Sequence, residues 1–128
     1  ALNALSTRGF KLSLPVISQP PIPLNDEGLL FRTWQPGMEL VKGPHGTQEP
    51  LADTPQVTPD IVIVPLVAFD DAGFRIGYGA GYYDATICGL RKADKNVTFI
   101  GVAYGFQRVE KVPAEPHDER LDRVIYIL

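Results

Sequence analysis

The chain has 128 residues, 45% hydrophobic and 21% charged, which is enough for one globular domain with a real core and not enough for two ordinary ones. Twelve Lys and Arg against fifteen Asp and Glu leave a net charge of -3, so no basic surplus exists to grip a nucleic-acid backbone. One cysteine, Cys88, excludes an internal disulfide framework and a Cys-based zinc cluster, and no apolar run reaches the ~18–20 residues that span a bilayer; a cytoplasmic protein without a membrane partner is expected.

Residues 1–8 (ALNALSTR) read as the last turns of a helix, closed by Gly9 at the position that favours positive φ. A helix tail at this point predicts that upstream residues are missing. A strand is expected over Phe10 to Leu14. The four prolines of residues 15–23 (PVISQPPIP) predict an ordered but irregular connection. Leu29 to Trp34 alternates as a strand, which makes Trp34 a half-buried sheet residue. Pro36-Gly37 turns the chain, and Val41 to Pro50 reads as a loop.

Residues 61–64 (IVIV) are β-branched at every position, the pattern of a parallel strand covered on both faces. Ala68 to Ile76 is a tight reversal around Asp71 to Gly73, and Gly77 to Asp84 leads into a helix through about Ala93. Cys88, beside Ile87 and Leu90, falls on its core face. A second buried strand, Val97 to Ala103, and a terminal one, Arg123 to Ile127, complete a single α/β domain over residues 1–128.

The densest chemistry lies in residues 75–84, RIGYGAGYYD. Three alternate glycines between a strand and a helix let backbone N–H groups approach an anion, and the helix adds its positive end. Arg75 offers a planar fork suited to phosphate oxygens. Tyr82 occupies the place of the third glycine of a dinucleotide fingerprint, and no Gly-Lys-Ser/Thr follows, so neither that motif nor a Walker loop is present. The residues alone leave two readings: an anion cradle, or a strained turn feeding a helix.

Asp84 is likewise either a first-turn carboxylate favouring the helix dipole or a ligand of a cation set between it and a phosphate. Asp118, in Glu115-Pro116-His117-Asp118 just ahead of the last strand, is either part of a solvated charge cluster or the second acid of such a pair, which would suffice for Mg²⁺ with phosphate oxygens and water. His117 either orients Asp118 or is a surface turn residue.

In order and spacing, residues 60–65 (DIVIVP), 68–70 (AFD), 75–84, 100–104 (IGVAY) and 113–118 (PAEPHD) resemble the 5-formyltetrahydrofolate cyclo-ligase family, also called methenyltetrahydrofolate synthetases. The resemblance runs from about Gly9 to the C-terminus. It implies a three-layer α/β/α, Rossmann-like domain with a mostly parallel sheet, similar to sugar-phosphate isomerases and here lacking its N-terminal helical part. The implied reaction converts 5-formyltetrahydrofolate and MgATP to 5,10-methenyltetrahydrofolate, ADP and phosphate, by phosphorylation of the formyl oxygen. Carried over by position, Arg75, Gly77, Tyr78, Gly79, Ala80, Gly81, Tyr82 and Tyr83 would bind ATP, Arg75 and Tyr83 in catalytic roles, and Asp84 and Asp118 would bind Mg²⁺. His45, Gly46 and Glu49, with Gly79, Gly81, Tyr82 and Tyr83, would enclose the folate.

Three departures mark the chain. His45 stands where the family often has an aromatic, which leaves the folate's stacking partner open and brings in Trp34 as a substitute. Ala80 stands where Gly or Lys is common, and the family's basic N-terminal helices have no counterpart, so weak or no activity is expected of these residues alone. The expected state is a monomer or weak homo-oligomer. A non-catalytic folate- or nucleotide-binding relative and, behind it, a sugar-phosphate isomerase are the competing readings.

Overall fold

The computed structural model of the protein describes residues 2–17, 28–43, 46–78, 81–93 and 95–128. They form two compact units, one built from the first part of the chain and one from the residues after Pro59.

In the first unit a short helix, α1 (Leu2–Thr7), ends as the sequence predicts. Gly9 takes φ 90°, its N–H bonds the Ser6 carbonyl at 3.0 Å, and the Phe10 N–H bonds Leu5 at 3.1 Å. This is the paired closure that satisfies the last helical carbonyls. β1 (Leu12–Ile17) then pairs antiparallel with β2 (Leu29–Trp34), which pairs in turn with β5 (Gln56–Val57). β1 runs through Pro15 to Ile17, where an irregular connection was expected. It lies at the edge of its sheet, where a proline's missing N–H breaks no inner ladder. Trp34 is half-buried, as the alternation implies.

The expected loop at Val41 to Pro50 is instead a hairpin. β3 (Leu40–Lys42) pairs with β4 (Gln48–Pro50), and the turn-forming residues are confined to the reversal between them.

The second unit holds a three-stranded parallel sheet, with β9 (Thr98–Tyr104) between β6 (Ile61–Val64) and β10 (Arg123–Ile127). Parallel neighbours require long crossovers, and α2 (Tyr82–Lys92) lies in the one between β6 and β9. The guanidinium of Arg91 on α2 sits 5.4 Å from the Phe99 ring centre, which sets the helix on the Phe99 side of the sheet. On that side Val62, Val64, Phe99 and Ala103 are buried, with Ile87 of α2. The opposite row of Ile61, Ile63, Val102 and Ile125 is exposed, each by about half its area. IVIV was expected to be covered on both faces; among the described residues one face is covered, because the single helix here supplies a layer to one side only.

Between β6 and α2, β7 (Ala68–Phe69) and β8 (Arg75–Ile76) form a small antiparallel hairpin around Asp71 to Gly73, where the sequence places the reversal. Among the described residues the chain is thus mixed α/β, with a parallel sheet, separate antiparallel sheets and few helices. No helix among the described residues is long and apolar enough to cross a membrane.

Candidate functional site

The second unit brings the strand end at Arg75, the start of α2 and the loop before β10 to one place. Gly81 is the N-cap of α2 at φ 75°, ψ 5°, a left-handed conformation that costs a non-glycine residue roughly 1–2 kcal/mol. It contributes no side-chain cap; its carbonyl accepts the Ala85 N–H at 3.1 Å. A helix start directs its first-turn N–H groups outward along the axis, the arrangement that favours an anion. Asp84 is the acid of that turn.

The Arg75 side chain is 94% buried by its neighbours, at 6% relative exposure. Nη1 donates to the Pro65 carbonyl at 3.2 Å, Nη2 lies 3.7 Å from Asp84 Oδ1, and the guanidinium carbon is 5.8 Å from the Tyr83 ring centre. Nε finds no hydrogen-bond partner among the described residues. A buried guanidinium with an unpaired N–H is under-satisfied, which is the condition in which an incoming anion gains most. Gly77 is what lets it sit there: a Cβ at that position would run into the Arg75 Nη1 group.

Burial pushes the Tyr83 hydroxyl above its ordinary pKa of 10.0, and the Arg75 charge pulls it partly back. Tyr83 is therefore a neutral phenol at physiological pH, able to donate a hydrogen bond and present a ring. Tyr78 is exposed and Tyr82 half-buried, while Gly79 and Ala80 lie outside the described residues.

Asp84 and Asp118 are 34 residues apart in sequence, yet the Glu119 N–H donates to Asp84 Oδ1 at 3.2 Å. The carboxylate of the helix is thus set against the residue that follows Asp118. Asp118 is fixed by its own turn, where Oδ2 accepts the Glu115 N–H at 2.8 Å and its N–H bonds the Glu115 carbonyl at 3.0 Å. His117 is an exposed side chain in the turn, as the plainer of its readings has it, with Nε2 3.4 Å from Asp118 Oδ1 and Nδ1 3.6 Å from Glu115 Oε2. Among the described residues no three of His, Cys, Asp and Glu form a metal cage. Asp84 and Asp118 offer carboxylate oxygens, the hard donors that Mg²⁺ takes, and neither the thiolates nor the imidazole sets of transition-metal sites.

Arg91 supports this arrangement from the far end of α2, a role the sequence did not signal. It donates to the Arg120 carbonyl at 2.8 Å and to Glu119 and Asp122 at 3.2 and 3.3 Å, while Asp122 Oδ2 accepts the Phe99 N–H at 2.7 Å.

In the first unit Glu49 is buried and accepts the Ile17 N–H at 2.8 Å. Gly46 takes φ 75° in the turn of the hairpin, and His45 lies outside the described residues. Cys88 is a free thiol, partly buried.

The sequence model of the 5-formyltetrahydrofolate cyclo-ligase family matches residues 2–127. The chain belongs to this family. The 5-formyltetrahydrofolate cyclo-ligase of Escherichia coli is 36% identical over 97% of this chain and 67% of its own length. That of Haemophilus influenzae is 36% identical over 91% of this chain and 62% of its own. Among solved structures, the Aquifex aeolicus 5,10-methenyltetrahydrofolate synthetase superposes with a TM-score of 0.70 at 30% identity, covering 98% of this chain and 61% of that one. A 5,10-methenyltetrahydrofolate synthetase from Mycoplasma pneumoniae gives 0.61 at 25% identity, over 94% and 58%. The chain therefore spans about two thirds of the length of these cyclo-ligases. The resemblance carried by residues 60–65, 75–84 and 113–118 is borne out across nearly all of it.

Proposed function

We propose that the protein is an ATP-dependent cyclo-ligase that converts 5-formyltetrahydrofolate to 5,10-methenyltetrahydrofolate with release of ADP and phosphate. The reading is supported by the bond from Glu119 N–H to Asp84 Oδ1, which sets the acid of the helix start against the residue after Asp118 in a cyclo-ligase sequence. A formyl oxygen leaves poorly and a phosphate leaves well, so phosphorylating that oxygen makes its carbon open to attack by the neighbouring nitrogen. The protein's work is alignment and neutralisation of phosphoryl charge. The first-turn N–H groups of α2 and the residues from Gly77 to Gly81 would face the triphosphate, Arg75 would turn its unpaired N–H to it, and the neutral Tyr83 would present its ring to the flat pterin.

Asp84 and Asp118 would hold Mg²⁺, which when bound offsets the repulsion between carboxylate and phosphate. Gly46, Glu49 and His45 belong to the folate side of the same reading. For the fold, the reading extends to the three-layer α/β/α arrangement. The exposed apolar row of Ile61, Ile63, Val102 and Ile125 would seat a second helical layer. A cytoplasmic monomer or weak homo-oligomer fits this enzyme.

Incubating the full-length protein with 5-formyltetrahydrofolate and MgATP tests the proposal. Appearance of the methenyl chromophore with stoichiometric ADP is expected. Binding of both compounds without product would make it a non-catalytic relative, and isomerisation of a sugar phosphate without ATP would move it to another class.

A further inference from the structure

Asp70 is a carboxylate at 5% exposure that the proposed chemistry does not use. Its Oδ1 accepts the N–H groups of Ala72 and Phe74 at 3.0 and 3.1 Å, which shapes the turn between β7 and β8. Its Oδ2 reaches across 42 residues of sequence to the Val112 N–H at 2.9 Å. The same turn is tied to the chain a second time, where the Leu121 N–H donates to the Gly73 carbonyl at 2.8 Å. The stretch that carries Asp118 is thus pinned at its two ends, Val112 and Leu121, to one five-residue reversal. Both anchors are buried, at 2% and 5% exposure. From the other side of this reversal the chain enters Arg75 and the glycine loop.

We propose that Asp70 is a positioning residue that holds the arm bearing Arg75 and the arm bearing Asp118 in register. The assignment rests on the cyclo-ligase reading for its effect on substrate, though not for its geometry. An ordinary turn-former would need only the two local bonds, which Asn or Ser also makes. The third bond needs a second acceptor oxygen. Asparagine offers one oxygen and an NH₂ group, so one of its faces would set donor against donor. Asp70→Asn therefore keeps the turn and severs the tie to Val112. Asp70→Ser does the same by being too short to reach across.

The test uses the full-length protein with both variants and Asp71→Asn as control. Asp71 is exposed and pairs with Arg108, so it belongs to neither arm. Amide exchange without nucleotide is expected to quicken at least tenfold over residues 112–118 in both Asp70 variants, with β6, β9 and α2 unchanged. KM for ATP at saturating Mg²⁺ is expected to rise at least fivefold, with kcat within about twofold of the parent. Unchanged exchange over 112–118, protection lost uniformly across the unit, or a KM no higher than that of Asp71→Asn would overturn the proposal. Absence of product from the parent protein is a different failure: it removes the cyclo-ligase reading and leaves the exchange result to judge Asp70 alone.

Discussion

Asp84 and Asp118 of the second unit are carried on segments held by opposite means. Asp84 stands in the first turn of an 11-residue helix whose backbone is set by bonds that stay within four residues: Ala85 N–H to Gly81, and Thr86 Oγ1 to the Tyr82 carbonyl at 2.6 Å. Asp118 stands on a segment without repeating structure. Its carboxylate is fixed by its own turn, but the segment around it is held by Asp70 on Val112, Arg91 on Arg120 and Asp84 on Glu119, bonds that span 42, 29 and 35 residues. One arm is rigid because of where it is in a helix, and the other because distant parts of the chain hold it. Damage to the helix arm should stay local, whereas damage to the loop arm can be inflicted from far away.

The largest expected effect is on chemistry. Asp84→Asn should lower the rate of methenyl product formation by about 100-fold or more while leaving the thermal midpoint nearly unchanged, since an amide oxygen still accepts the Glu119 N–H. Steady-state kinetics and a melting curve on the same preparation check both halves. Next comes Gly81→Ala. No atom of the described residues beyond its chain neighbours lies within 4 Å of the added Cβ, so its expected cost is the left-handed backbone, about 1–2 kcal/mol in urea unfolding. A larger loss would mean that the helix arm is not local after all.

Arg91→Ala sharpens the other side of the contrast. Its guanidinium is 36% exposed and screened, so the loss of stability should be about 1 kcal/mol or less. Exchange should quicken around Arg120 to Asp122 and not in the first turn of α2. The smallest effect is electrostatic. Because burial holds the Tyr83 proton more tightly in the folded state, the unfolded chain releases it first as pH rises through 10.0. Folding stability should therefore fall above that pH, and Tyr83→Phe should lack this component. Urea midpoints at about pH 9 and about pH 11 read the difference.

The same contrast decides what the sequence could reveal. The helix arm is written locally: alternate glycines and an acid ahead of an apolar-periodic run announce the helix and its end near Lys92, though it starts at Tyr82, inside the segment expected to lead into it. The parallel strands were equally legible as β-branched runs, and the reversal at Asp71 to Gly73 by its turn chemistry. Whether a strand is covered on both faces is not written in it, because the cover is another element; hence the exposed Ile61 and Ile63. The hairpin at residues 40–50 hid behind turn residues dense enough to mask two three-residue strands. Pro15 suggested an interruption that an edge strand tolerates. Of the loop arm, Asp118 could be picked out by its motif, but Asp70 and Arg91 act through backbone groups tens of residues away, which no spacing rule records.

A double-mutant cycle on Asp84 and Asp118 tests most directly whether the two arms serve one ion. ATP affinity of the full-length protein is titrated calorimetrically at fixed Mg²⁺ in the parent, Asp84→Asn, Asp118→Asn and the double variant. If both carboxylates act on a shared cation, the double variant should bind ATP no more weakly than about the worse single one. Losses that multiply would show two acids working independently and would contradict the account.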